Sequence, residues 1–107
     1  MTLDEFWQLH EALPVEDAAD VLTQRLSRLD AAAVLAFNRH QTQCLMEAYS
    51  WDLWGAAYLI DGGCSDDGFM DFRFGLMARG RQVFEAAVRQ PDTLAQVMAD
   101  ESDETYI

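Results

Sequence analysis

Apolar residues recur every three or four positions along most of this chain, and that spacing constrains the fold more than any other feature. One stripe runs from Val15 to Leu29, and others continue through the middle and the last third of the sequence. Such intervals place apolar side chains on one face of an α-helix. No segment alternates apolar and polar residues for long enough to form a strand. The sequence therefore predicts an all-α fold.

Polar residues mark where the first helices begin. Thr2 and Glu5 match a capping box, and Asp30 stands as an N-cap before a run of alanines. A straight helix over residues 31–60 would be about 45 Å long, which exceeds the diameter of a domain of this size. We therefore expect a break near Ser50, which caps a new helix.

Glycines and a proline punctuate the second half of the chain. Asp61-Gly62-Gly63 is expected to end one helix, with a glycine in the left-handed conformation. The next apolar stripe passes through Gly80 without changing phase, which favours one continuous or gently kinked helix. A last short helix starts at Pro91. In total we expect a compact bundle of about five helices, with a glycine-rich acidic loop between two central helices.

The length and composition fit one domain. The chain has 107 residues and is 50% hydrophobic, which is enough to bury a core. We expect a single helical domain over residues 1–107, in which 91–107 form a peripheral helix and an acidic tail. Apolar runs stay below about 18 residues and the N-terminus is acidic, so we expect a cytoplasmic protein with reduced cysteines and no membrane partner.

The charge balance is strongly acidic. Asp and Glu number 19 against seven basic residues, all of them arginine, and the net charge is −12. Such a surface repels phosphate backbones, so direct binding of nucleic acid is not expected. The acids are spread along the chain, which favours an ordinary acidic domain. The alternative is an acidic mimic that inhibits a nucleic-acid-binding protein.

Aromatic side chains are concentrated after residue 50. Trp51, Trp54 and Tyr58 lie at helical spacing. A row of this kind either binds a partner or fills a core, and burial is the commoner outcome. We therefore expect both tryptophans to be mostly buried, together with Phe69, Phe72 and Leu76.

Two charged residues stand within these apolar helices. Asp52 and Arg73 each have apolar neighbours along the chain. A buried charge requires a partner, and arginine cannot escape burial by losing its proton. We therefore expect Arg73 to pair with a carboxylate contributed by Asp52, Asp61, Asp66 or Asp67.

A serine and two aspartates follow the double glycine. Ser65 is expected to cap the next helix by accepting a hydrogen bond from the N–H of Asp67 or Gly68. Asp66 and Asp67 then fall in the first turn, where the helix dipole favours negative charge. A Mg²⁺ or Ca²⁺ site is the alternative, although the spacing does not match a calcium-binding loop.

The cysteines and histidines complete the set of reactive side chains. Cys64 precedes a helix start, a position that lowers the pKa of a thiol. A nucleophile also needs a base, and the chain has only His10 and His40. His40 and Cys44 could meet across one helical turn, but two ligands do not make a zinc site. We expect Cys44 to be a small core residue, and no metal or other cofactor.

The segment WDLWGAAYLIDGGCSDDGFMDFRFGLMARGRQVFEAAVRQPDTLA, together with the opening LDEFWQL, resembles the bacterial family called domain of unknown function 4240. The resemblance covers the first helix and roughly residues 51–95. It implies a small, mostly helical, bacterial cytoplasmic protein, and it brings no catalytic residues. One departure is Gly75, where the family pattern leads us to expect a tryptophan. The glycine should open space or loosen the packing beside Phe72 and Phe74.

Besides the acidic mimic, two classes of function are consistent with the sequence. No complete catalytic constellation is present, so the sequence leans against an enzyme. The first hypothesis is a protein-interaction module that presents the 61–68 loop and the adjoining aromatics to a protein partner. The alternative is an enzyme or small-ligand-binding protein that uses the 61–73 loop and helix. The candidate site residues are Trp51, Asp52, Trp54, Tyr58, Cys64, Asp66, Asp67 and Arg73.

Overall fold

The computed structural model describes residues 1–14 and 16–98, and all regular structure within them is helical. The all-α prediction is therefore confirmed. A short 3₁₀ helix over Pro91–Thr93 follows the last of the six α-helices, and residues 94–98 continue helically. The acidic tail expected at residues 100–104 lies outside the described residues. The α-helices are α1 (Leu3–Leu9), α2 (Ala18–Ser27), α3 (Ala31–Glu47), α4 (Trp51–Asp61), α5 (Asp66–Ala78) and α6 (Arg81–Arg89).

The helix starts follow the capping residues that the sequence indicates. Thr2 accepts a hydrogen bond from the N–H of Glu5 at 3.1 Å, and the Glu5 carboxylate returns one to the N–H of Thr2. Asp30 caps α3. Ser50 caps α4 by accepting from the N–H of Leu53 at 3.1 Å. The expected break near Ser50 is confirmed, and it divides the long apolar stretch into α3 and α4.

The expected count of about five helices is wrong, and Gly80 is one reason. Its φ of 103° lies outside the helical region and in one that favours glycine, so α5 ends at Ala78 and α6 begins at Arg81. The apolar stripe keeps its phase across this break because both helices bury their apolar faces in the same core. The apolar periodicity across Gly80 therefore indicates that α5 and α6 face the same core, and not that they form one continuous helix.

The predicted acidic loop between α4 and α5 is also wrong in its composition. Gly62, at φ 71°, ends α4 as expected. The acids on either side belong to the helices, since Asp61 is the last residue of α4 and Asp66 opens α5. Only residues 62–65 connect the two helices, and they carry no carboxylate.

The core draws side chains from every α-helix except α2. Its fully buried residues include Phe6 at the centre of α1 and Leu94 beyond the 3₁₀ helix. α2 packs from outside through the half-buried Leu22 and Leu26. Within the described part of the chain, none of the helices combines the length and the apolar character needed to cross a bilayer. The largest completely buried side chains are Phe6, Leu53, Phe69, Leu76, Met77, Phe84 and Leu94.

Candidate functional site

Three stacked rings connect the surface of α4 to the core. Trp51 stacks on Trp54 with ring centroids 5.7 Å apart and planes 11° from parallel. Trp54 stacks in turn on Phe69 at 5.1 Å and 13°. The stack begins in solvent, since Trp51 is 82% exposed, and ends at Phe69, which is fully buried. The packing of the inner rings thus holds the exposed indole in place.

The predicted burial of Trp51 is therefore wrong. α4 turns Leu53 and Ala57 toward the core, and these two residues lie on the opposite side of the helix from Trp51 and Tyr58. Because α4 is apolar nearly all round, its sequence could not indicate which face would be buried. Phe69 and Leu76 are buried as expected, whereas Trp54 and Phe72 are only partly enclosed.

The outward side of α4 forms a mostly apolar surface. It consists of Trp51, Gly55, Tyr58 and Leu59, which recur at helical spacing and which we call the α4 face. Tyr58 is 57% exposed and Leu59 is 83% exposed. Large exposed apolar patches on soluble domains commonly mark interaction sites. Asp52 and Asp61, both exposed, stand at the two ends of the same helix.

Arg73 is buried beside this stack without the expected carboxylate. It is 3% exposed, and among the described residues it forms no ion pair. Its guanidinium donates a hydrogen bond of 2.6 Å to the carbonyl oxygen of Leu45. The same group lies 4.6 Å from the ring centre of Tyr49 and 4.8 Å from that of Phe69. Longer contacts join it to the carbonyl oxygen of Phe69 at 3.4 Å and to Sδ of Met70 at 3.7 Å. The predicted ion pair is thus wrong, because uncharged acceptors and two aromatic faces surround the guanidinium.

The position of Leu45 explains this arrangement. It lies in the last turn of α3, where carbonyl groups lack partners within the helix and the dipole favours positive charge. The neighbouring carbonyls of Cys44 and Met46 accept from the backbone of the following residues. Arg73 satisfies the Leu45 carbonyl from another helix, and so joins α5 to the end of α3.

Asp66 reaches Arg73 only through Tyr49. The Tyr49 hydroxyl donates a hydrogen bond of 2.8 Å to Oδ1 of Asp66. This bond raises the pKa of the Tyr49 hydroxyl. The Tyr49 ring therefore stands between a carboxylate at its hydroxyl and a guanidinium on its face. Sequence reasoning missed Tyr49, because it belongs to no apolar stripe and only the fold brings it to α5.

The connection between α4 and α5 is tied to the stack by its backbone. Nε1 of Trp54 donates to the carbonyl oxygen of Cys64 at 2.9 Å. Desolvation raises the pKa of the Cys64 thiol, and the charge of Asp61 adds to the rise. The expected lowering of the pKa at a helix start is wrong, because desolvation and the nearby Asp61 carboxylate raise it. A raised pKa disfavours a thiolate nucleophile at neutral pH.

The remaining predicted residues are structural or exposed. Ser65 accepts a hydrogen bond from the N–H of Gly68 at 3.1 Å, which confirms the predicted cap. Asp67 is exposed in the first turn of α5. Cys44 is a buried core residue as expected, and burial raises its pKa to about 11. The residues described in the structure contain no cluster of three or more potential metal ligands.

Replacement of Ser65 by alanine is expected to lower the free energy of unfolding by about 1 kcal/mol, because the first turn of α5 loses its side-chain cap. Urea denaturation measures the change. Replacement of the exposed Ser27, whose hydroxyl bonds only within its own helix, is the matched control. An equal effect of the two substitutions would contradict the capping role.

The site thus brings together five of the eight predicted residues. Trp51 and Trp54 stack, Cys64 accepts from Trp54, and Asp66 and Arg73 meet on either side of Tyr49. The side chains of Asp52, Tyr58 and Asp67 stand outside this arrangement in solvent. Of these five side chains, Trp51 is the one that presents a large apolar surface to solvent.

The whole chain matches a known protein family. No curated protein and no solved structure matches the chain. The family model described as "Protein of unknown function (DUF4240)" matches residues 1–107, so the likeness is not confined to the first helix and residues 51–95. The chain therefore belongs to the DUF4240 family.

Proposed function

We propose that this protein is an interaction module whose α4 face docks onto another protein. The observation that carries the proposal is the position of Trp51, an indole that is 82% exposed and yet stacked on Trp54. Tryptophan is the residue most enriched among energetic anchors of interfaces. An anchor that is already held in position loses little conformational freedom on binding.

Charge indicates what kind of surface the partner presents. The chain carries a net charge of −12, and the carboxylates of Asp52 and Asp61 stand at the ends of the α4 face. A second copy would bring the same charges together, which disfavours a homodimer. We therefore propose a different protein whose apolar contact surface is bordered by lysine or arginine. Such a rim would speed association and make it sensitive to salt.

Site-specific photo-crosslinking in a cell extract from the native host tests this proposal. A photoreactive phenylalanine analogue replaces Tyr58 on the α4 face, and a matched chain carries it at Leu35, which is 59% exposed on α3. We expect a discrete adduct with a second protein from position 58 and none from position 35. The adduct should weaken as salt is raised and disappear when Trp51 is replaced by alanine.

Three results would contradict the proposal. Equal labelling from positions 58 and 35 would show that the α4 face is not selective. An adduct between two copies of this chain would identify self-association instead. An adduct that persists after Trp51→Ala would remove Trp51 as the anchor. Because Trp51 is mostly exposed, its replacement should leave the fold intact, and circular dichroism checks this in the same samples.

A further inference from the structure

A second site lies at the end of α1, away from the α4 face. His10 caps the C-terminus of α1 and is only 2% exposed. Its ring packs against Phe6 at 4.8 Å and Phe37 at 5.5 Å between ring centres. Within residues 1–14 and 16–98, neither of its ring nitrogens has a hydrogen-bond partner. Buried polar groups are nearly always partnered, so two free nitrogens on one side chain need an explanation.

Gln41 on α3 also has a buried polar atom without a hydrogen-bond partner. Its Oε1 atom is buried and accepts no hydrogen bond from any described residue. The Gln41 side chain lies close enough to favour protonation of His10, yet no hydrogen bond of acceptable geometry joins the two. Their unpartnered atoms leave hydrogen-bonding capacity that the protein itself does not use.

Both residues line one cleft of about 1270 Å³. The turn over residues 10–14, α2 and the C-terminal half of α5 form its walls. The cleft is larger than the usual range for small-molecule sites, about 300–1,000 Å³. Gly75 leaves one wall open, since no heavy atom lies within 4 Å of the position a Cβ would take. The walls are mostly apolar, although Glu11, Thr23 and Arg79 also line them. The apolar lining residues are Leu13, Pro14, Ala18, Ala19, Leu22, Leu26, Phe74 and Ala78.

The polar atoms define the chemistry of a ligand. Burial lowers the pKa of His10 to about 4, so at neutral pH its ring offers one donor and one acceptor, and Gln41 Oε1 adds a second acceptor. An anion would face both acceptors. A cation would be opposed by Arg25, which donates to the carbonyl oxygens of Leu9 and Glu11 on either side of His10. Glu11 and Arg79, which also line the cleft, carry opposite charges, so together they favour neither sign of ligand.

We infer that this cleft binds a small uncharged molecule with an apolar body and a hydrogen-bonding head, such as a primary amide, that contacts His10 and Gln41. The amide N–H would donate to Gln41 Oε1, and the amide carbonyl would accept from the His10 ring. The cleft shares no residue with the α4 face, so the inference is independent of the proposed interaction with a protein.

Benzamide is the probe, and benzoate and benzylamine are charged molecules of nearly the same shape. NMR titration of the full chain should show saturable shifts in the His10 ring and the Gln41 side-chain amide, with a Kd of about 1 mM for so small a ligand. We expect each charged analogue to bind about tenfold more weakly or not at all.

Three variants locate the binding. Gln41→Leu and His10→Phe each remove a hydrogen-bonding group and should weaken benzamide binding about tenfold. Gly75→Trp should block the cleft while leaving His10 and Gln41 in place. Gln43→Leu is the matched control, because Gln43 is exposed on α3, the helix that carries Gln41. The Gln43→Leu chain should bind benzamide with the same affinity as the parent chain.

Several outcomes would overturn the inference. These are the absence of shifts at about 10 mM benzamide, equal binding by the Gly75→Trp chain, and tighter binding of benzoate than of benzamide. If His10→Phe does not fold, Gln41→Leu and Gly75→Trp still test whether benzamide binds in the cleft. Both of these chains should fold, since Gln41 is only partly enclosed and Gly75 is exposed.

Discussion

Replacement of Arg73 by methionine is expected to lower the free energy of unfolding by about 2–3 kcal/mol. The substitution removes a charge-assisted hydrogen bond, worth about 1.5–3 kcal/mol, and the contacts with two aromatic faces. It also leaves the Leu45 carbonyl without its partner from α5. The apolar methionine offsets part of this loss by burial. The expected change is smaller than for a broken buried ion pair, because no carboxylate is left unpaired.

Urea denaturation of Arg73→Met beside Arg39→Met measures this effect. Arg39 is exposed on α3, and its replacement makes the same change in charge. The control should differ from the parent chain by no more than about 0.5 kcal/mol. Arg73→Lys should fall between the two, because lysine keeps the charge and loses the planar fork. Equal stabilities for Arg73→Met and Arg39→Met would show that Arg73 does not join α5 to α3.

Stability is expected to fall by about 3 kcal/mol as the pH is lowered from 6.5 to 4, because of His10. The pKa of its imidazole is lowered from 6.5 to about 4, mainly by burial. Below pH 6.5 the unfolded chain therefore takes up a proton that the native state refuses until about pH 4. Protonation in this window favours unfolding, so the contribution is complete above pH 6.5 and is lost as the pH falls through the window.

Urea titrations at a series of pH values between 4 and 7 measure the slope. His10→Phe should flatten it, because phenylalanine fits among the same rings and does not titrate. Glu5 has a lowered pKa from its bonds with Thr2, and its contribution is lost only as the pH falls below about 4.5. A slope that survives in His10→Phe would assign the pH dependence to other groups.

Local features of this protein could be predicted from the sequence, and contacts between distant segments could not. Ser50 and Ser65 cap their helices because a cap depends on three consecutive residues after it. The partner of Arg73 depends on the approach of Leu45, 28 residues away, and a backbone carbonyl leaves no signal in a sequence. The nearby aspartates were therefore the only partners that sequence reasoning could name.

The same distinction applies to burial. Trp51 and Leu53 are both apolar residues of an apolar helix, and only the packing of α4 decides that Leu53 is enclosed and Trp51 is not. His10 offered no signal of its own, because its burial depends on Phe37, which reaches it from α3. The unfilled space beside Gly75 is the exception, since a departure from the family pattern indicated it in advance.

The exposed α4 face also has a consequence for how the protein behaves in solution. An apolar surface that includes Trp51 and Leu59 would drive precipitation if nothing opposed it. Mutual repulsion among molecules of net charge −12 supplies that opposition at neutral pH. The repulsion vanishes near the isoelectric point of about 4.2, and concentrated salt screens it. The exposed α4 face favours aggregation of this protein, and its net charge opposes it. We therefore expect the protein to stay dispersed in dilute, low-salt solutions above pH 6.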